Sequence, residues 1–372
     1  MADQQEIRAT NRKYVSSTFP NTDPYYSTIQ SAINSIPVNT SGYPDQPWTV
    51  FVYPGTYNES ISLKSNISIV GDRNQSTIIK GNGTNPAITG PASDGGGGQC
   101  FICNMTIDGN NRSAIAFLDT SYQKTNFVTD VELLDSNWGS SQSSAPAVSI
   151  GNNQNLNCFN LHCIITVDPN YVLFPYGFNL SGNSNLGIWQ SQVATQYQCL
   201  MHQSTQYTQA YDCTFESSQT SMLISSGTVD IYNCQTIGGI IASGSNTLVK
   251  HVDSFHDGTL GVATGAKMYV AGMKWGERPG IDVLFSISDN SKMIVTNSKA
   301  GVTGAVSYVV TVNSTSAIFK AYNSEFISEG SGSTITGVPN AVVYLYYCVL
   351  NKNVDTVTVS PDSNYDVTVN AE

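Results

Sequence analysis

Two groups of carboxylates in this chain have spacings that could support acid–base chemistry. Asp108 lies in TIDGNNRS with Arg112 close behind, and Asp130, Glu132 and Asp135 crowd VTDVELLDS. On a strand, 130 and 132 share one face. Like charges held together split their pKa values into an acid and a base. Carboxylates paired about 5–10 Å apart are what glycosidic cleavage needs. The competing reading makes these residues solvated turn or outer-face carboxylates. A second set is aromatic. Trp138, Tyr171, Phe174, Tyr176 and Trp189 fall in or beside long insertions rich in Asn, Gln and Ser. Their faces, with amide and hydroxyl donors alongside, suit sugar rings, and packing in a core or between subunits is the alternative.

Other motifs point away from chemistry. Cys100 and Cys103 form a CxxC, but no second pair or His cluster accompanies it, so zinc is not expected. Residues three apart on a strand also face opposite ways. His162, His202, His251 and His256 show no HExxH spacing and read as satisfied histidines. No GxSxG elbow occurs. The SDGGGGQC stretch at 93–100 lacks the Lys-Ser/Thr and helix of a phosphate cradle. No cofactor and no metal are expected.

These candidates must be held by something, and composition limits what. The 372 residues carry 16 Lys+Arg and 27 Asp+Glu, a formal net charge of -11, and only 12% are charged. So few cations cannot neutralise many phosphates, which excludes nucleic acid as a partner class. No apolar run approaches a membrane span. The opening MADQQEIRATNRKYVSS lacks the apolar core of a secretory leader. Asn, Ser, Thr, Gln, Gly and 20 Tyr supply the polarity, which suits turns and strands better than surface helices.

Residues 1–24 read as a polar arm, disordered or an attachment segment, and 25–372 as one domain. In YYSTIQSAINSIP, Ile29, Ala32, Ile33 and Ile36 follow helical spacing, predicting a short helix over about 28–36 with Ser27 or Thr28 at its start. Its expected job is to cap a solenoid. Short strands follow at 48–53, 61–63, 67–70 and 77–79, and a last one is expected around 354–369.

A repeat then emerges: YDC at 211–213, YNC at 232–234, VDS at 252–254, YNS at 322–324 and YYC at 346–348. Weaker copies are LHC at 161–163, WQS at 189–191, VAG at 270–272 and TNS at 296–298. Third positions 163, 191, 213, 234, 254, 272, 298, 324 and 348 lie 18 to 28 residues apart. Uneven periods of about 20–30 mark a β-solenoid whose loops vary while its rungs do not. Stacking at ~4.8 Å places the small side chains inward and keeps neighbouring Cβ atoms beyond disulfide reach, so the cysteines are expected to be thiols, assembled in a reducing cytoplasm. The fold class expected is all-β, a single-stranded right-handed parallel β-helix.

The segment TIQSAIN…WTVFVYPGTYNESISLKSNISIVGD resembles the N-terminal portion of pectin lyase-like proteins, especially pectin methylesterases. It carries Thr28-Ile29-Gln30, Ala32-Ile33, Pro54-Gly55-Thr56-Tyr57, Glu59, Ile61 and Ile67 through Gly71. The resemblance covers about 50 residues and implies the fold. That family's Gln-Ala-Val-Ala-Leu, Asp-Phe-Ile-Phe-Gly and Leu-Gly-Arg-Pro-Trp segments do not occur, and WGERPG at 275–280 reads as a loop. In overall character the chain resembles β-helical spike or fibre proteins of viruses and phages.

Two function classes follow. One is a non-enzymatic structural or receptor-binding β-helix on a virion or cell surface, homotrimeric, contacting glycans and tied to other surface proteins through residues 1–24. The other is a polysaccharide-active lyase, hydrolase or esterase using Asp108 or the Asp130–Asp135 group.

Overall fold

The computed structural model describes residues 11–91, 99–118, 120–134, 145–165, 176–275, 283–302, 308–329, 333–352, 354, 357–359 and 368–369. The chain is a right-handed parallel β-helix, as its repeat predicts. It divides into two compact units, Met1–Gln196 and Tyr197–Glu372. Among the described residues no helix is long and apolar enough to cross a membrane.

Each unit is built from three parallel sheets, and each turn of the coil contributes a segment to each, a long strand such as Cys100–Asp108 or Gln154–Ile165 serving two adjacent sheets. In the first unit, the first sheet stacks Asn11–Val15 on Trp48–Val52 and that strand on Ile67–Gly71, in register through Val15↔Val52 and Val52↔Gly71. The second sheet begins with Gly55–Asn58 on Thr77–Lys80, and the third with Ile61–Ser62 on Ile88–Thr89. Alternation sends Val50, Val52, Ile67 and Ile69 inward, where each is fully buried; such a side chain contributes about 1.5–3 kcal/mol on leaving water.

The helix spans Ile29–Asn34, with Thr28 as its N-cap. The Thr28 hydroxyl accepts the Ser31 N–H at 3.2 Å. The Glu59 carboxylate accepts the Ile29 and Gln30 N–H groups at 2.8 and 3.0 Å. The next turn of the coil therefore satisfies the orphan donors of the helix start. Of the segment expected as an arm, residues 1–10 lie outside the described residues, and 11–15 form a strand of the first sheet. Its charge is built into the structure. Lys13 is 4% exposed, ion-paired with Asp23, and its ammonium lies 5.1 Å from the Trp48 ring centroid.

The corner between the first and second sheets explains the repeat. From the turn through Asn104 onward one residue adopts a left-handed φ there: Asn104, Asp130, Asn160 and Gln190 in the first unit. In the second unit Asp212, Asn233, Asp253, Gly272, Asn297, Asn323 and Tyr347 do so, with φ between 46° and 62°. Asn, Asp and Gly tolerate this conformation best. Where the next rung carries Ser or Cys after its own corner residue, the following N–H reaches that side chain. Cys234 N–H donates to Ser254 Oγ at 3.0 Å, and Ser254 Oγ donates to the Val252 carbonyl at 2.7 Å. Met273 N–H to Ser298 Oγ (3.2 Å) and Ser298 N–H to Ser324 Oγ (3.3 Å) repeat the device.

Two of the weaker copies are out of step with this ladder. Asn160, not His162, takes the left-handed turn, so Leu161 rather than Cys163 holds the ladder position and donates its N–H to Ser191 Oγ at 3.0 Å. At 272 the glycine is itself the corner, and Met273 follows it inward. A side chain at 272 would bring its Cβ within 2.2 Å of Asp253 Oδ1.

Candidate functional site

The carboxylates singled out from sequence are placed as follows. Asp108 is 6% exposed. It lies 3.5 Å from Lys80 Nζ and accepts the Asn110 N–H at 2.9 Å. That is the geometry of a neutralised carboxylate holding a turn. Asp130 has φ 54° and sits at the corner, where the register passes from Thr129↔Phe159 to Val131↔Leu161. The alternation that would put 130 and 132 on one face is broken there. Asp130 Oδ1 accepts from Asn160 Nδ2 at 2.6 Å, whereas Glu132 Oε2 accepts from Thr106 Oγ1 at 3.0 Å. Burial, and after it the Asp130 carboxylate, push the Cys103 thiol up to about 12. Asp135 lies outside the described residues.

Of the aromatic candidates, Trp138, Tyr171 and Phe174 lie outside the described residues. Tyr176 opens the strand Tyr176–Gly182 of the third sheet, half-buried. Trp189 is on the outer face of the first sheet of the first unit, stacked on Phe159 with centroids 4.6 Å apart. Its indole leans along the strand over Gly187, where a Cβ would come within 2.0 Å of Trp189 Cη2. Glycine at 187 is what lets the indole lie down.

The most developed polar arrangement was not singled out from sequence, and lies in the second unit. Its first sheet stacks Tyr207–Tyr211, Gly227–Tyr232, Thr247–Val252, Lys267–Ala271, Lys292–Thr296 and Ile318–Tyr322. In Gly227–Tyr232, Val229 and Ile231 are buried inward, so alternation turns Asp230 outward. A carboxylate there would ordinarily be solvated, yet Asp230 is 2% exposed. Neighbouring side chains close over it. Asp230 Oδ2 accepts from the Tyr207 hydroxyl, from Tyr232 Oη at 3.3 Å and from Lys250 Nζ at 3.2 Å. Gln209 Nε2 donates to Tyr207 Oη at 2.9 Å. Oδ1 has no hydrogen-bond partner and is buried. Burial, with the hydrogen bond to Asp230 next, pushes the Tyr207 phenol up to about 12; burial and then the Asp230 charge raise that of Tyr232. Both phenols therefore stay protonated and serve as donors. Tyr211 stacks on Tyr232 at 4.9 Å, fixing the second phenol.

The signal was present in the sequence. YTQAY, TVDIY and LVKHV, aligned by the repeat, place Tyr-Gln-Tyr, Thr-Asp-Tyr and Leu-Lys-Val on the outer positions of successive rungs. Only the three-dimensional register shows that Tyr207, Tyr232 and Lys250 share one carboxylate.

Three of the four histidines are in the interior of the second unit. His202, His251 and His256 are fully buried, and burial lowers the first two to about 4 and the third well below its ordinary value. His202 Nδ1 contacts the Ser226 carbonyl at 2.8 Å, while neither ring nitrogen of His251 has a partner. Among the described residues no group of three or more His, Cys, Asp or Glu is placed to hold a metal ion, and all eight cysteines are thiols.

No protein-family profile and no curated protein matches the chain. Among solved structures it is similar to ORF18 of Geobacillus virus E2, at 18% identity and TM-score 0.43, covering 85% of this chain and 57% of that one. It thus spans little more than half of the viral protein's length. It is also similar to a mannuronic acid-specific polysaccharide family 6 lyase from human gut microbiota, at 11% identity and TM-score 0.44, covering 85% of this chain and 78% of that one. A third likeness is to pectin methylesterase from carrot, at 11% identity and TM-score 0.28, covering 96% and 86%. The fold of this chain stands on its own parallel register and its chemistry on the residues of its outer faces, and neither is borrowed from these proteins.

Proposed function

We propose that this chain is a surface-displayed β-helix that contacts glycans without cleaving them, through the outer face of the first sheet of its second unit. The observation that carries this reading is the closure of Tyr207, Tyr232 and Lys250 over Asp230. A catalytic carboxylate must be free to take or give a proton at a reacting atom. Asp230 instead receives three donors on one oxygen, and both phenols are held protonated. The result is a preorganised platform of hydroxyl, amide and ammonium groups beside stacked rings, which is the chemistry that orients sugars. Display on a virion or cell surface, assembly in a reducing cytoplasm and a homotrimeric state belong to the same proposal, as does attachment to other surface proteins through residues 1–24. Light scattering at micromolar concentration checks the trimer, which a monomeric mass removes.

The test of function is a panel of neutral and acidic polysaccharides, assayed for binding and for new reducing ends or unsaturated products. The expected result is binding that weakens at least tenfold in Tyr211→Ala/Tyr232→Ala, with no cleavage. Cleavage abolished by Asp230→Asn would overturn the proposal, and so would indifference of binding to the tyrosine pair.

A further inference from the structure

The first sheet of the first unit is apolar on both faces. In WTVFV, ISIVG and CFIC the inward Val50, Ile69 and Ile102 alternate with the outward Phe51, Val70 and Phe101. A strand whose outer face meets water alternates apolar with polar residues, whereas strands covered on both sides read as continuous apolar runs. These read as covered. Their outward side chains form straight rows. One row runs in register through Phe51, Val70, Cys103, Thr129, Phe159 and Trp189. Beside it Phe101 stacks on Phe127, ring centroids 4.6 Å apart. Tyr14 extends the row by one rung, its ring 5.9 Å from that of Phe51.

Between Trp48 and Trp189 no outer position of this sheet's described strands carries a charge, in a chain of formal net charge -11. Charges stand only around it: Arg12 on the first rung, Lys64 in the turn before Ile67, and Asp130 at the corner. The corresponding sheet of the second unit is unlike it, with Asp230, Lys250, Lys267 and Lys292 at outer positions. A charge-free face is therefore no requirement of the coil; it belongs to one unit. The eight side chains of the two outer rows from Phe51 to Trp189 and from Phe101 to Phe127 are all half-buried, because in-register stacking covers ring faces and leaves their edges outward.

We infer that this face is where a second copy of the chain docks, sheet face against sheet face. The inference rests on the oligomer proposed above, to which it gives a contact surface, and is independent of where glycans bind. Two arguments select a second copy over another partner. Copies of an acidic chain repel one another through most approaches, and this face lets them meet without bringing charges together. A facing copy also repeats at the same ~4.8 Å rung spacing, so its ring edges fall in step with these along the whole row. The face measures about 500 Å² per copy, taken as roughly six rungs at ~4.8 Å by about five residues at ~3.3 Å. A pair then buries about 1,000 Å², the lower bound for a specific interface, so association is expected at micromolar rather than nanomolar concentration.

The test is analytical ultracentrifugation of the full chain across the micromolar range. Wild type is compared with Phe101→Lys/Phe127→Lys, which puts charge on the face, and with Gln192→Lys, which puts charge on the outer face of the second sheet of the same unit. Thermal melting confirms that each is folded. Wild type is expected to rise above the monomer mass with concentration. Association should weaken at least tenfold in the Phe101/Phe127 pair and stay within twofold of wild type in Gln192→Lys. A benzophenone amino acid placed at Thr129 gives a readout that needs no charged variant to fold. In mixed isotope-labelled and unlabelled chains, its cross-links between copies should fall on the outer rows of this same sheet. A wild type that stays monomeric overturns this inference and the oligomer, and leaves the glycan reading standing. Association unmoved by the Phe101/Phe127 pair, equal weakening by Gln192→Lys, or cross-links confined to other surfaces overturns this inference alone. Polysaccharide binding lost in the pair while the mass is unchanged overturns the second copy in favour of a glycan on this face.

Discussion

Replacing Ser254 with alanine tests the corner ladder on which the register depends. Ser254 is 2% exposed, and its Oγ accepts the N–H of Cys234, itself 3% exposed. Alanine removes that acceptor where water cannot replace it. The Val252 carbonyl is less affected, because it still accepts the Asn233 N–H at 3.1 Å. The cost is therefore chiefly one buried unsatisfied donor, about 1–3 kcal/mol. Ser254→Cys should cost less than ~1 kcal/mol, since cysteine fills the same ladder position at 234, where its Sγ accepts the Cys213 N–H at 3.4 Å. Stacked-rung proteins of this length need not unfold in one step, so the assay is native-state hydrogen exchange read at the Cys234 amide and at strands 227–232 and 247–252. The expected result is faster exchange there by a factor of about 5–160 in the alanine variant, the same 1–3 kcal/mol expressed as an equilibrium ratio. Exchange within a factor of two of wild type, or serine-to-cysteine as damaging as serine-to-alanine, would refute the ladder's role.

Acid should weaken the second unit. The folded-state pKa values of His202, His251 and His256 lie below the ordinary value near 6.5, two of them at about 4, so the unfolded chain takes up protons first. Stability present above about pH 6.5 is lost as pH falls toward 4, by ~1.4 kcal/mol per pH unit for each histidine. His251→Leu should remove one proton from that slope in denaturant titrations at several pH values, and an unchanged slope would count against the burial. Gly187→Ala should displace the Trp189 indole and cost about 1–3 kcal/mol, seen as a changed near-ultraviolet circular dichroism and a lower unfolding midpoint; a native-like spectrum would contradict the contact with Trp189 Cη2. Asp108→Asn should lower stability modestly through the lost Lys80 pair while leaving polysaccharide binding within twofold, and abolished binding would return Asp108 to the functional residues.

The fold was legible because its cause is local and repeated. A left-handed corner accepts few residue types, and on many rungs the next position carries a small hydroxyl or thiol side chain that accepts an N–H of the neighbouring rung, so Tyr-Asn-Cys and Val-Asp-Ser recur at rung spacing. The helix was legible from its apolar spacing and from Thr28, although its capping by Glu59 depends on a residue thirty positions away. The corner at Asp130 was not legible, since the same VTDVELL alternation reads as an unbroken strand until a left-handed φ interrupts it. Nor was the closure over Asp230. Tyrosine, aspartate and lysine at outer positions are ordinary one strand at a time; only stacking at rung distance makes them a cluster.

The central claim is that glycans meet the outer face of the second unit's first sheet. Hydroxyl-radical footprinting of the full chain, with and without a saturating polysaccharide from the binding panel, tests it directly. The account predicts protection concentrated at Tyr211, Tyr232 and Tyr269, with Trp189 and the buried core of both units unchanged or secondary. Protection confined to other surfaces, with those three tyrosines as reactive as in the unliganded chain, would contradict it.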